Sequence, residues 1–469
     1  MKRTFLYLTL VFAACLQAQN GKTALDRYVA QADPTYKWSL VKTIAGSGVT
    51  GYVLDMTSQT WLTPAEVNRP EWKHWVTIHK PDKVESDVAL LMITGGSNEN
   101  NAPEKLDGFM QTVAEKTKTV TVELRMIPNQ PLSFFGEPRK RTEDSMIAFT
   151  WKKFMETGDE RWPARLPMTK AAVRAMDAVQ EFMASEAGGK TKVSRWVVMG
   201  GSKRGWTTWT TAAVDKRVIA IAPAVIDLLN IDESFTHHWR AYGFWAPSIG
   251  DYTEHGIMDW RGSKQWRELM KIEEPYEYRD RLTMPKYLVN SAGDQFFLPD
   301  SSQFYFNDLK GEKYLRYVPN TDHGVTRRSD AAESLLVYYH SIVAGWKRPE
   351  FSWTIGKDGA VVVTCKDKPS AVKLWQATNP EARDFRLEKI GPAYQSKDVT
   401  AAVDGKYMVK LEKPEKGFTA SFVELTFPSP GGGNWKFTTD VKVMPDVYPF
   451  PAPSVHLPAG ATPVRAAAE

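Results

Sequence analysis

Arg195-Trp196-Val197-Val198-Met199-Gly200-Gly201-Ser202-Lys203-Arg204-Gly205-Trp206 is the stretch on which the fold turns. Its first five residues have the composition of a short, largely apolar strand, and Lys203 to Ala213 has the spacing of a helix. A serine on a sharp strand-to-helix turn is the setting of a nucleophile elbow, which exposes a hydroxyl at a sheet edge. Small neighbours are required because such a turn is crowded and strained. Gly200 fills the position two before Ser202. Two after it stands Arg204, and the small residue, Gly205, comes one later, so the match to G-x-S-x-G is shifted. Two other readings stand beside the elbow. One is a glycine-rich turn with Ser202 capping a helix start. The other is a phosphate-binding loop, which lacks the G-x-x-x-x-G-K-[ST] spacing.

A serine needs a base within hydrogen-bond reach, and the base needs an orienting acid. The elbow fold predicts them in the order Ser, Asp, His, each after a strand. Lys286–Asn290 reads as a strand and runs into Ser291-Ala292-Gly293-Asp294. Lys313–Val318 reads as another and runs into Pro319-Asn320-Thr321-Asp322-His323-Gly324. Ser202, Asp294 and His323 are therefore the candidate catalytic residues, with Asp227 and Asp300 as alternative acids. An oxyanion requires preorganised donors. The backbone N–H of Lys203 is the expected first, and that of Gly96, in Gly95-Gly96-Ser97-Asn98, the second. The Lys203 side chain either leans toward the oxyanion or a substrate carboxylate, or pairs with an acid. His237 and His238 are adjacent and point to different sides of their element, so a shared metal is not expected. No metal and no cofactor is predicted.

Strands alternating with helices from Trp75 onward predict a doubly wound, mostly parallel sheet. Strands are expected at Trp75–His79, Ala89–Ile93, Thr119–Met126 and Val218–Ala222, with a further short one at Gly51–Asp55. Helices are expected at Ala24–Ala30, Pro103–Lys116, Ala171–Ala187, Ser301–Lys310 and Arg328–Ala344. Residues about 22 to 75 read as a lead-in. The alternation breaks between about 224 and 285, a stretch too long for a strand–helix loop and expected to form a lid. Beyond residue 347 six short strands without helices predict a small β-sandwich, 347–449, ahead of an extended tail, 450–469.

The 469 residues are 42% hydrophobic and 25% charged, an ordinary globular composition. No run of like charge reads as a nucleic-acid arm. Lys2 and Arg3 followed by the apolar run Phe5–Ala14 read as an export signal, 1–18, too short to span a bilayer as a mature helix. Cleavage after Ala18 is one expectation; lipidation of Cys15 within Phe12-Ala13-Ala14-Cys15 is the other. The chain is expected to be exported, periplasmic or extracellular, without a transmembrane segment. Loss of residues 1–18 removes Lys2, Arg3 and no acid, which lowers the formal charge from +5 to +3. Cys365 then remains as the only thiol. Of the 17 Trp, seven fall between residues 196 and 266. Trp206, Trp209, Trp239, Trp245 and Glu233 are candidate pocket residues, with core packing the competing role for the aromatics.

The run from Gly200 through Ser202-Lys203-Arg204-Gly205-Trp206-Thr207-Thr208-Trp209, the lead segment, the Asp294 loop and Asp322-His323-Gly324 together resemble the PhoPQ-activated pathogenicity-related proteins. The likeness covers nearly the whole mature chain. It implies an α/β-hydrolase fold, with the family's serine, aspartate and histidine falling on Ser202, Asp294 and His323. Members are linked to virulence and antimicrobial-peptide resistance, a eukaryotic relative to secreted growth repression, and some resemble dipeptidyl peptidases. The elbow alone also resembles glucuronoyl esterases, which show Gly-x-Ser-Arg-x-Gly; Lys203 stands where they have arginine, and Gly205 matches their shifted glycine. The expectation is an exported, monomeric serine hydrolase acting on a small molecule or peptide, through a peptide or carboxylic ester bond. The β-sandwich would be free to dock a surface glycan or a protein. The competing expectation is a binding or signalling protein that keeps the fold without turnover.

Overall fold

The computed structural model describes residues 21–327 and 329–464. The expected export segment, with Cys15 and the bond after Ala18, lies outside them. Nine strands form the main sheet: β1 (Lys37–Ala45), β2 (Val49–Thr60), β3 (Glu71–Pro81), β4 (Val88–Ile93), β5 (Thr121–Leu124), β6 (Arg195–Gly201), β7 (Val218–Ala224), β8 (Lys286–Ser291) and β9 (Lys313–Val318). Their order is β1-β2-β3-β5-β4-β6-β7-β8-β9. From β5 to β9 every pairing is parallel; β1, β2 and β3 join through antiparallel pairings. This is a mixed α/β fold built on a large, mostly parallel sheet. The central strands are apolar because helices cover both faces, so neither face alternates with water. Strand β4, for instance, is buried at every position but Met92.

The helices are α1 (Ala24–Ala30), α2 (Gly108–Thr117), α3 (Glu143–Thr157), α4 (Arg165–Ala184), α5 (Lys203–Val214), α6 (Ile231–Tyr242), α7 (Gly250–Glu254), α8 (Lys264–Glu273), α9 (Ala331–Val343) and α10 (Leu387–Ile390). Helices α6, α7 and α8, with short 3₁₀ turns, fill the stretch between β7 and β8 where the alternation breaks.

Three expectations change. The lead-in is part of the sheet: Gly51–Asp55 lies inside the twelve-residue β2, hydrogen-bonded along both edges to β1 and β3. Ser301–Lys310 is not one helix but two 3₁₀ turns, Ser301–Phe304 and Phe306–Asp308. Tyr305 breaks them apart with φ −147°, which carries its hydroxyl to the buried Asp227, a tertiary bond that overrides local periodicity. Helix α3 comes from a region with no predicted element. It opens on Glu143-Asp144, whose charges suit a helix N-terminus, and buries Met146, Ile147, Trp151 and Phe154.

Beyond residue 350 the expectation of six strands without helices also changes: nine strands form two antiparallel sheets, with the short helix α10 among them. One holds β10 (Phe351–Ile355), β11 (Ala360–Cys365), β14 (Ala401–Val403) and β15 (Lys406–Lys410). The other holds β12 (Ala371–Asn379), β13 (Gln395–Asp398), β16 (Phe418–Pro428), β17 (Asn434–Thr438) and β18 (Lys442–Met444). Val361 and Val363 from the first, and Val372, Leu425 and Phe437 from the second, share one core with Tyr287 and Tyr314 of the main sheet. Tyr314 stacks on Phe437 at 4.3 Å between centroids, and the Tyr287 hydroxyl donates to the Lys436 carbonyl at 2.6 Å. Cys365 is buried in β11, and burial pushes its thiol up to about 11. Among the described residues no helix is long and apolar enough to cross a membrane.

Candidate active site

Strand β6 ends and α5 begins with Ser202 between them at φ +57°, ψ −130°. A non-glycine residue in that region is strained and is held there by its surroundings. Here the hold is a ladder of backbone bonds: Ser202 N–H donates to Ala224 O of β7 at 2.8 Å, and Ser202 O accepts from Trp206 N–H at 3.0 Å. The shifted glycine follows from the same geometry. A Cβ on Gly200 would lie 2.6 Å from the Arg204 carbonyl oxygen, and one on Gly205 3.0 Å from the carbonyl oxygens of Gly200 and Ala224. Residue 204 faces a gap instead, and its guanidinium lies where a Cβ on Gly95 would come within 2.5 Å.

Asp294 and His323 meet after β8 and β9. Asp294 is buried; its Oδ2 takes the His323 Nδ1 bond at 2.8 Å and its Oδ1 accepts from Phe296 N–H at 2.8 Å. The His323 backbone N–H donates to Gln295 Oε1 at 3.0 Å. Phe296 covers the imidazole at 4.4 Å between centroids, and Phe297 lies at 5.9 Å. Both phenylalanines also wall the small cavity of about 30 Å³ that Ser202 lines, so Phe296 meets both the imidazole and the serine's cavity. No hydrogen bond joins the Ser202 hydroxyl to His323 among the described residues. Such bonds are often long in a free enzyme and tighten with substrate.

Lys203 begins α5, so its N–H has no acceptor within the helix. Gly96 has φ +130°, in a loop fastened by Ser97 N–H to Asn100 Oδ1 at 2.7 Å and by Met126 N–H to Gly95 O at 2.9 Å. The Lys203 side chain resolves its two readings: Nζ pairs with Glu143 at 2.8 Å and Asp144 at 3.1 Å. Arg204 donates to Glu143 at 2.6 Å and to the Ile127 carbonyl at 2.5 Å. Burial alone would raise the Glu143 carboxyl, but Lys203 and Arg204 outweigh it and hold it near about 2.

The alternative acids have other partners. Asp227 accepts from the Tyr305 and Tyr317 hydroxyls at 2.5 Å each, and burial pushes it up to about 8. Asp300 pairs with His237 Nε2 at 2.8 Å and Arg383 at 2.5 Å. His238 accepts from Ala246 N–H at 3.0 Å, and burial holds it neutral, down at about 3. The two adjacent histidines thus serve different bonds. Among the described residues no cluster of three or more His, Cys, Asp or Glu is placed to hold a metal.

Of the aromatic candidates, Trp206 lines the Ser202 cavity. Trp209 does not: it is fully buried in the core on the inner side of α5, where its ring fills volume between helices. Trp245 packs on Phe235, a cavity residue, at 6.0 Å, and Trp239 packs on Trp245 at 5.1 Å, one layer further out. Glu233 is exposed on α6 and lies off the cavity wall. The sequence did not single out Asp144, Arg165, Phe235, Tyr252, Phe296 and Phe297, which also line the wall. Phe296-Phe297 could have been found, since they follow Asp294 directly. The others come from elements distant in sequence.

The mostly parallel sheet thus carries a serine on a positive-φ turn after β6 and an Asp–His pair after β8 and β9. The chain belongs to the PhoPQ-activated pathogenicity-related protein family, whose profile matches residues 25–386. Autocrine proliferation repressor protein A of Dictyostelium discoideum is 38% identical over 474 residues, covering 94% of each chain. Among solved structures, acetyl xylan esterase 1 from Thermoanaerobacterium sp. JW/SL YS485 is 14% identical with a TM-score of 0.47, over 68% of this chain and 92% of that one. An S-formylglutathione hydrolase from Agrobacterium tumefaciens is 13% identical with a TM-score of 0.41, over 65% and 99%.

Proposed function

We propose that this chain is an exported serine hydrolase that cleaves peptide or carboxylic ester bonds through Ser202, His323 and Asp294. The observation that carries the reading is the 2.8 Å Asp294–His323 bond at the strand ends beside a serine held at φ +57°. In this mechanism His323 Nε2 takes the Ser202 proton as Oγ attacks the substrate carbonyl carbon. Asp294 fixes the tautomer and steadies the imidazolium. The N–H groups of Lys203 and Gly96 receive the oxyanion. His323 then returns the proton to the departing alcohol or amine, and water releases the acyl group as a carboxylic acid by the same steps reversed. In the same reading residues 224–285 act as the lid, and 347–449 as a β-sandwich domain ahead of the tail. The test is a fluorophosphonate probe with wild type and Ser202→Ala. Labelling of wild type alone is expected; equal labelling of both, or of neither, overturns the proposal.

A second reading keeps the fold for binding or signalling without turnover. It draws on the missing Ser202–His323 bond and on a relative named as a proliferation repressor. Its signature is a biological activity that survives Ser202→Ala.

A further inference from the structure

We infer, resting on the serine-hydrolase reading, that the substrate joins a small acyl group, acetyl in size, to an extended leaving group with an apolar face. Two spaces adjoin the proposed catalytic residues: Ser202 lines one and His323 the other. The space on the Ser202 side measures about 30 Å³, room for no more than two or so water molecules by that measure. Large rings make up much of its wall, and the polar ends of Trp206 and Tyr252 are tied down. The Trp206 indole N–H donates to the Glu273 carbonyl, and the Tyr252 hydroxyl to Asp144 at 3.0 Å. Trp151 packs edge-on against both Trp206 and Trp266, at 6.1 and 6.0 Å. Displacing Trp206 or Tyr252 would break a hydrogen bond, so on that side the space resists a longer chain.

The space that His323 lines is a cleft of about 730 Å³, within the range of sites that hold small-molecule ligands. Most of its lining is apolar, with Met92, Met199, Val225 and Leu335, and its charged members are Asp107, Glu123, Arg204 and Arg327. It touches Gly95, next to the proposed oxyanion donor, and His323 itself. Phe296 covers one side of the imidazole, which leaves the cleft as the open approach. In acyl transfer the histidine hands its proton to the leaving group, so the leaving group must lie on the histidine's open side. The acyl group stays with the serine. The tight space therefore receives the acyl part and the cleft receives the leaving group.

The test is a set of p-nitrophenyl esters from acetate to octanoate, with 2-naphthyl acetate, methyl acetate and Ala-Pro p-nitroanilide alongside. From acetate to butyrate kcat/KM is expected to fall at least about 10-fold, the scale of discrimination that added methylenes meet in a tight pocket. Phe235→Ala, or Phe235→Leu should that variant not fold, narrows the gap. Ala332→Trp, which fills the cleft, lowers kcat/KM for 2-naphthyl acetate about 10-fold more than for methyl acetate. Octanoate turned over as well as acetate, the dipeptide cleaved faster than the acetates, or an equal loss on both acetates in Ala332→Trp overturns the inference. Fluorophosphonate labelling separates the two failures. A labelled enzyme with the wrong chain-length profile sinks this inference alone, whereas an unlabelled wild type sinks the hydrolase reading beneath it.

Discussion

Asp294, Asp227 and Asp300 lie close together in the fold and differ in what faces them. Asp294 holds His323, Asp300 faces His237 and Arg383, and Asp227 faces two phenols. The sequence singled out Asp294, just after a strand, with Asp227 and Asp300 as alternatives, but contact could not be read from it, because each partner comes from a distant segment. On the proposed mechanism Asp294→Asn leaves the bond to His323 in place and lowers kcat about 10⁴-fold, through the wrong tautomer; steady-state kinetics on the best ester checks it. Asp227 makes a pH prediction. Its folded value of about 8 exceeds the ordinary 3.8, because burial favours the neutral form. Its contribution to stability is fully present below about 3.8 and is lost as pH rises to about 8. Melting temperature measured from pH 5 to 8 should therefore fall in wild type relative to Asp227→Asn. A constant difference between the two would refute this.

At the scale of elements, the elbow and the helices around it are one unit. Arg165 of α4 donates to the Lys203 carbonyl at 2.7 Å in the first turn of α5, and pairs with Glu273 of α8 at 3.2 Å. Both side chains are buried. Removing one partner of such a pair costs about 3–5 kcal/mol, because the other charge is left stranded, whereas replacing both with well-packed apolar groups is nearly neutral. Arg165→Met is expected to lose that much in a denaturant titration, and Arg165→Met with Glu273→Leu to recover most of it. Gly200→Ala places a Cβ against a backbone oxygen that cannot swing away, at 2.6 Å. It should cost about 1–3 kcal/mol by crowding and displace Ser202, read as loss of probe labelling. Strands β4, β6, β7, β8 and β9 were legible because buried parallel strands are continuous apolar runs. Helix α3 was not assigned, and 301–310 was read as a helix, because in each place packing, not local propensity, sets the backbone.

The tail is where the whole molecule closes on itself. Tyr448 donates to or accepts from His237 Nδ1 at 2.9 Å, while Arg240 covers its ring at 4.0 Å. Phe450 N–H donates to Arg240 O at 3.1 Å. Further on, Lys264 N–H donates to Thr462 O at 2.7 Å and Val464 N–H to Gly262 O at 2.9 Å. Residues 448–464 thus touch both α6, which carries Phe235 to the cavity, and α8, which carries Glu273, the partner of Arg165. Tyr448→Ala strands a polar atom of the buried His237, a loss of about 1–3 kcal/mol. Thermal unfolding should show a lower midpoint, and Tyr448→Phe should reproduce most of the drop if the hydrogen bond, rather than the ring, is responsible. An unchanged midpoint in Tyr448→Ala would mean the strap carries no load.

By itself the sequence determined the succession of the buried parallel strands, the turn at Ser202 and the order in which a serine, an aspartate and a histidine reach strand ends. Those are local properties: periodicity, small residues at a crowded turn, and polar residues just past apolar runs. The tertiary structure alone decided which acid meets His323, that Lys203 spends its charge on Glu143 and Asp144, and that Trp209 belongs to the core while Phe235 and Tyr252 wall the cavity. It also decided that the tail lies over the helices of the insertion. These depend on which distant side chains share a few ångströms of buried space, where desolvation makes every unpaired charge costly and every ring compete for volume.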